Sequence, residues 1–187
     1  MWGLVLVVLA AAFFAYKNRE KLFREPGQWE YMQGVYAFSQ GDTAQALNIL
    51  DELVAKHPGS KWAKRALYYL GYHYYETGNA ELAEEYWTRF LKSKPKDPFL
   101  EANAKAGLAS LRADAEAYGE ASKLLEEAYK LTPYETYKGF FLYRKGSCLL
   151  LAGDTAKALE AYKEVAERFG ETPAGREAKK MVKLLGG

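Results

Sequence analysis

From Trp2 to Tyr16 the chain reads WGLVLVVLAAAFFAY, with neither charge nor proline, and after Lys17 apolar and polar positions are mixed at helical spacing. Leu67, Leu70, Gly71 and Tyr74 fall at i, i+3, i+4 and i+7, and beyond Gly78-Asn79 the same spacing returns in Ala83, Trp87 and Phe90. Each run predicts a helix with one apolar face. The Gly-Asn pair between them gives a residue free to take positive φ and then a polar side chain able to cap the next helix. Pro95 stops the second helix. The predicted unit is a helical hairpin.

That unit repeats. GDTAQAL at 41–47 returns as GDTAKAL at 153–159; Ala46, Ala83, Ala121 and Ala158 are spaced 37, 38 and 37, and Pro58, Pro95 and Pro133 are spaced 37 and 38. A fixed period of this size is the mark of stacked supersecondary units. Four hairpins are predicted, over about 27–59, 60–96, 97–134 and 135–171. A last helix at 173–185 sets Arg176, Lys179, Lys180 and Lys183 on one stripe and Ala178, Met181, Val182 and Leu185 on another. It reads as the solvating cap a stack needs, with a lipid- or partner-binding basic stripe as the alternative. The third unit departs from the rest: it lacks the Gly-Asp turn and puts Arg112 at the aromatic position, so its first helix is expected to be tilted or loosened. No strand is predicted.

As a helix the apolar start rises about 22 Å, against a hydrocarbon core of roughly 30 Å. The stems of Lys17, Arg19 and Lys21 can snorkel and extend it, so residues 2–16 are read as a membrane anchor. A cleaved signal is the alternative: Ala10-Ala11-Ala12 offers a site, but nothing basic precedes Trp2. Burial against the rest of the chain is a third. The expected division is 1–25, anchor and basic flank, and 26–187, repeat domain. Lys17, Arg19, Lys21 and Arg24 follow the apolar segment, which by the positive-inside tendency leaves the repeats in the cytoplasm; a periplasmic repeat domain is the alternative.

Charge and chemistry narrow the function. A formal net charge of +2 from 26 basic and 24 acidic residues leaves no field for a phosphate backbone, so no nucleic acid is expected. The lone Cys148 excludes an internal disulfide and a thiolate zinc site. Among Leu149, Leu150 and Leu151 it reads as a buried inert thiol. Glu84-Glu85 and Glu126-Glu127 fall on the polar side of second helices and read as solvated surface. His57 and His73 have no metal-ligand spacing, and no glycine-rich loop follows a strand. No cofactor, metal, small-molecule substrate or enzymatic activity is therefore expected.

In order, Leu67, Leu70, Gly71, Tyr74, Ala83, Trp87, Phe90 and Pro95 give the large–large–small–aromatic, small–aromatic–small, proline pattern, and the chain resembles the tetratricopeptide repeat family over 27–170. Other units match in part, through Gly34, Ala46, Leu50 and Pro58, through Leu108, Ala109, Ala121 and Leu125, and through Leu142, Gly146, Ala158 and Tyr162. The period exceeds the family's 34, so longer inter-unit turns or helices are expected.

The resemblance implies an all-α fold, a right-handed superhelical stack of about four hairpins with a C-terminal capping helix, preceded here by the apolar helix. It also implies that first helices line a concave side. The outward positions map onto Gln28, Tyr31, Met32, Val35 and Phe38; Arg65, Tyr68, Tyr69, Tyr72 and Tyr75; Asn103, Ala106 and Ser110; and Phe140, Tyr143, Arg144 and Ser147. So many rings on a face the stack does not need for packing suit a peptide or an inserted helix. The candidate partner-binding residues are Tyr31, Phe38, Arg65, Tyr68, Tyr69, Tyr72, Tyr75, Tyr143 and Arg144; packing of the tyrosines against the linker helix 17–25, or against each other, is the competing reading. Tyrosine stands at most positions where co-chaperone relatives carry a Lys and Asn clamp, so a chaperone tail is not the expected ligand.

The layout is also similar to bacterial inner-membrane repeat scaffolds of envelope biogenesis, without their paired cysteine motifs. It is similar as well to the ancillary subunit of the secretion translocon, without its charged leading stretch. The expectation is a membrane-tethered protein-binding scaffold. The alternatives are a chaperone-like translocon subunit and a purely architectural subunit.

Overall fold

The structure is a computed structural model that describes residues 25–186; the apolar stretch 2–16 and its expected role lie outside these residues. All regular structure among the described residues is helical: α1 Gln28–Ser39, α2 Thr43–Lys56, α3 Lys61–Glu76, α4 Ala80–Lys92, α5 Pro98–Asp114, α6 Tyr118–Leu131, α7 Glu135–Leu151, α8 Thr155–Arg168 and α9 Pro173–Leu184. None of these helices is long and apolar enough to cross a membrane. The chain forms two compact units, Met1–Ala63 and Lys64–Gly187, and α3 starts in the last residues of the first.

In the first unit α1 packs on α2 because a glycine meets a large residue: a Cβ at Gly34 would sit 2.6 Å from Leu50 Cδ2. Ala46, Leu50 and Leu53 are fully buried there. The entry to α1 is tied to the start of α3 by Glu25, which takes a 2.6 Å ion pair from Lys61 Nζ and a 2.9 Å hydrogen bond from Trp62 Nε1–H. The Lys61 hydrogen bond holds the Glu25 carboxyl below its ordinary value.

The second unit repeats the small-against-large device. A Cβ at Gly71 would meet Trp87 Cδ1 at 2.6 Å, and one at Gly107, on α5, would overlap the far edge of the same ring. Trp87 therefore fills the space between α3 and α5, and its equivalents Leu125 and Tyr162 are as deeply buried. Gly146 faces Tyr162 as Gly71 faces Trp87. Burying each such side chain contributes on the order of 2–3 kcal/mol. α5 packs on α4 and α6, α6 on α7, and α9 closes the unit against α7 and α8, burying Ala178.

The turns inside the hairpins share one geometry. Gly41, Gly78 and Gly153 take φ of 79°, 79° and 83°, and the third hairpin places Glu116 there at φ 59°. In each, the amide of the following residue donates five residues back, as Asn79 N does to Tyr74 O (2.8 Å) and Ala117 N to Arg112 O (2.8 Å). Asp42, Asn79 and Asp154 then cap the next helix with their side chains, while Ala117 cannot. The third unit thus keeps the turn without the residues that favour it, and α5 is continuous over 17 residues rather than loosened. Arg112 holds its place by pairing with Glu84 of α4 (2.5 Å) and Glu120 of α6 (3.3 Å). The long period is accounted for by first helices of 16 and 17 residues in α3, α5 and α7.

The glutamate pairs are not simply solvated. Glu84 binds Arg112, and Glu126 accepts from both Lys145 (2.7 Å) and Lys130 (2.9 Å). Hydrogen bonds from Arg112 and from Lys145 lower the two carboxyls below their ordinary range. They staple neighbouring helices.

Candidate functional site

In the second unit three first helices contribute different surfaces. α3 supplies rings. Tyr68 stacks edge-on against Tyr69 at 5.1 Å and tilts onto Phe90 at 5.6 Å, while Tyr69 and Tyr72 stay 39% and 49% exposed. Burial, with Tyr69, Tyr72, Tyr137 and Asp97 adding to it, pushes the Tyr68 hydroxyl up to about 12.

α5 supplies a floor of small residues. Ala106 and Ser110 are buried, and Asn103 turns back so that its Nδ2–H donates to Phe99 O at 2.8 Å. The Ser110 hydroxyl donates to Ala106 O (3.1 Å) and accepts from Arg144 Nη2–H (2.9 Å). At the other end Arg65 of α3 reaches Asp97, the α5 cap, at 3.4 Å. These two polar contacts tie α3 to α5 and α5 to α7.

The start of α7 supplies further rings, with Phe99 of α5 among them. Tyr137 meets Phe99 edge-on at 4.9 Å, Phe99 meets Tyr134 at 5.1 Å, and Phe140 lies 5.8 Å from the buried Phe141. Tyr134, Tyr137 and Phe140 are 54%, 40% and 46% exposed, values an ordinary core ring does not show. The Arg144 guanidinium stands 5.7 Å from the Phe140 ring centre.

The sequence-predicted residues divide accordingly. Tyr68, Tyr69, Tyr72, Arg65 and Arg144 come to this face of the second unit. Tyr75 and Tyr143 are half-buried and pack inward on Trp87 (5.7 Å) and Tyr162 (5.4 Å). Tyr31 and Phe38 belong to the first unit; Tyr31 is 8% exposed against Trp62 at 5.1 Å, and Phe38 is half-buried. Phe99, Tyr134 and Tyr137 escaped the sequence reading, because they sit at or before the first turns of α5 and α7, ahead of the repeat positions it used. The run PYETYKGFF at 133–141 was the signal, with four rings after one proline.

Cys148 is buried and its thiol is pushed up by that burial. What the face offers is exposed aromatic area with hydroxyls at its edges.

A family model described as "Tetratricopeptide repeat-like domain" matches residues 1–184. No curated protein matches the chain. Among solved structures, the nearly identical TPR-like repeats of a putative kinesin light chain from Podosopora anserina superpose with a TM-score of 0.65 at 14% identity, covering 87% of both chains. MamA superposes at 0.59 with 21% identity over 81% of this chain and 91% of that one. PilF of Pseudomonas aeruginosa superposes at 0.60 with 19% identity over 87% of this chain and 77% of that one. At these identities the likeness is one of fold.

Proposed function

The chain belongs to the tetratricopeptide repeat-like domain family, and from that premise we propose that it is a non-enzymatic scaffold whose second unit holds a peptide or helix of a partner protein between the rings of α3 and α7. One observation carries this reading: Tyr69, Tyr72, Tyr137 and Phe140 remain between 39% and 49% exposed beside a floor of small residues. Rigid rings offer contact area at low entropic cost, and tyrosine hydroxyls can meet a backbone. In this reading residues 2–16 tether the chain to a membrane, with the repeats on the cytoplasmic face. Tethering raises effective concentration near membrane partners, so modest affinity suffices.

The test is replacement of Tyr68, Tyr69 and Tyr72 by serine. The proposal requires loss of partner capture with helicity intact; unchanged capture would move the function to another surface and favour an architectural role. Protease accessibility of the repeats in sealed vesicles tests the tether and its orientation.

A further inference from the structure

Between the first turns of α7 and α9 lies a cavity of about 260 Å³ lined by Thr136, Tyr137, Phe140, Thr172, Pro173 and Ala174. It falls below the roughly 300–1,000 Å³ of small-molecule sites, and suits one large side chain. Its lining is mostly apolar, and the Thr172 hydroxyl is engaged, donating to Phe169 O (2.7 Å) and accepting from Gly175 N–H (3.1 Å). Two of its walls, Tyr137 and Phe140, are rings of the face described above. A third wall is the capping helix itself.

Arg144 stands next to it. Its guanidinium lies 5.7 Å from the Phe140 ring and donates to the neutral Ser110 hydroxyl. No carboxylate among the described residues pairs with Arg144, whereas Arg65, Arg112, Lys138 and Lys145 each have one. A guanidinium carries five N–H donors, so most of Arg144's are left to a ligand.

Resting on the proposed groove, we infer that the partner segment inserts one bulky apolar side chain into the pocket between α7 and α9 and sets a carboxylate on Arg144. Phe140 belongs to both subsites, and an extended chain advances about 3.3 Å per residue, so the acidic residue stands about one to three positions from the anchor. Charge complementarity at Arg144 selects acidic segments over basic ones. The capping helix is then part of the recognition surface as well as the end of the stack.

A random-peptide phage library selected on the full chain tests this. Selected peptides carry a bulky apolar residue with Asp or Glu within three positions, and synthetic copies lose about tenfold in affinity for Arg144→Glu and recover when their acidic residue becomes Lys. Ala174→Leu, which fills the pocket, costs a similar factor with circular dichroism unchanged. Peptides without acidic enrichment, or equal binding to Arg144→Glu and Ala174→Leu, overturn the inference; if that binding is still lost in Tyr69→Ser/Tyr72→Ser, the groove itself stands. No selected binder, or binding untouched by the tyrosine changes, overturns the groove and this inference with it.

Discussion

The second and third hairpins use the same positions to hold together and opposite chemistry on their outer faces. Gly71 and Trp87 in one correspond to Ala109 and Leu125 in the other, and the large member of each pair is almost wholly buried. On the face, α3 presents Tyr68, Tyr69 and Tyr72, where α5 presents Asn103, Ala106 and Ser110. Packing tolerates little change because interiors are close to crystal density. Ala106 and Ser110 are nevertheless buried while Tyr69 and Tyr72 stay 39% and 49% exposed, so the ring-rich helix leaves to solvent an aromatic area that its neighbour lacks. The hairpins differ also in how well their turns are made, and the third relies on Arg112 ion pairs where the second has glycine and an asparagine cap.

The largest effect separating the two should come from the core pair. Trp87→Ala is expected to lower unfolding free energy by about 3–5 kcal/mol, more than Leu125→Ala, because Trp87 touches both α3 and α5. Urea denaturation of both variants checks it, and a smaller loss at Trp87 would break the comparison.

Next is the turn. Glu116→Gly with Ala117→Asp gives the third hairpin the residues of its neighbours and should stabilise by about 1–2 kcal/mol, seen as a rise in Tm. The reverse exchange at Gly78 and Asn79 should destabilise.

A third test concerns the faces. Tyr68 holds its proton more tightly folded than unfolded, so its contribution is present below about pH 10 and is lost as pH rises towards 12. Between pH 8 and 11 the wild type should therefore lose about 1 kcal/mol more than Tyr68→Phe. Urea midpoints at the two pH values report the difference.

The smallest effect is expected at Arg112. Its partners are partly exposed, so Arg112→Ala should cost less than about 1 kcal/mol. The Glu84 carboxyl is held low by that hydrogen bond, so its share is present at neutral pH and fades as pH falls through the acid range. Acid titration of stability in the two proteins measures it.

The repeat was legible because hairpin packing fixes residue size at fixed spacing: Ala46, Ala83, Ala121 and Ala158 are each fully buried. Half of the face was legible for the same reason, since Tyr68, Tyr69 and Tyr72 take their direction from the register that buries Leu67, Leu70 and Gly71. Helix ends do not follow that register. Phe99, Tyr134 and Tyr137 depend on how α5 and α7 begin after a proline, and Glu116 in a glycine's conformation depends on the turn. Nor could spacing reveal that Tyr75 and Tyr143 are half-buried and pack on Trp87 and Tyr162.

The most direct test of the account is a photoreactive residue at Tyr72, compared with one at the exposed Glu160 of α8. The account predicts one protein partner crosslinked from position 72, competed by an excess of that partner's own segment, and none from 160. Crosslinks from 160 alone, or equal crosslinks from both, would contradict it.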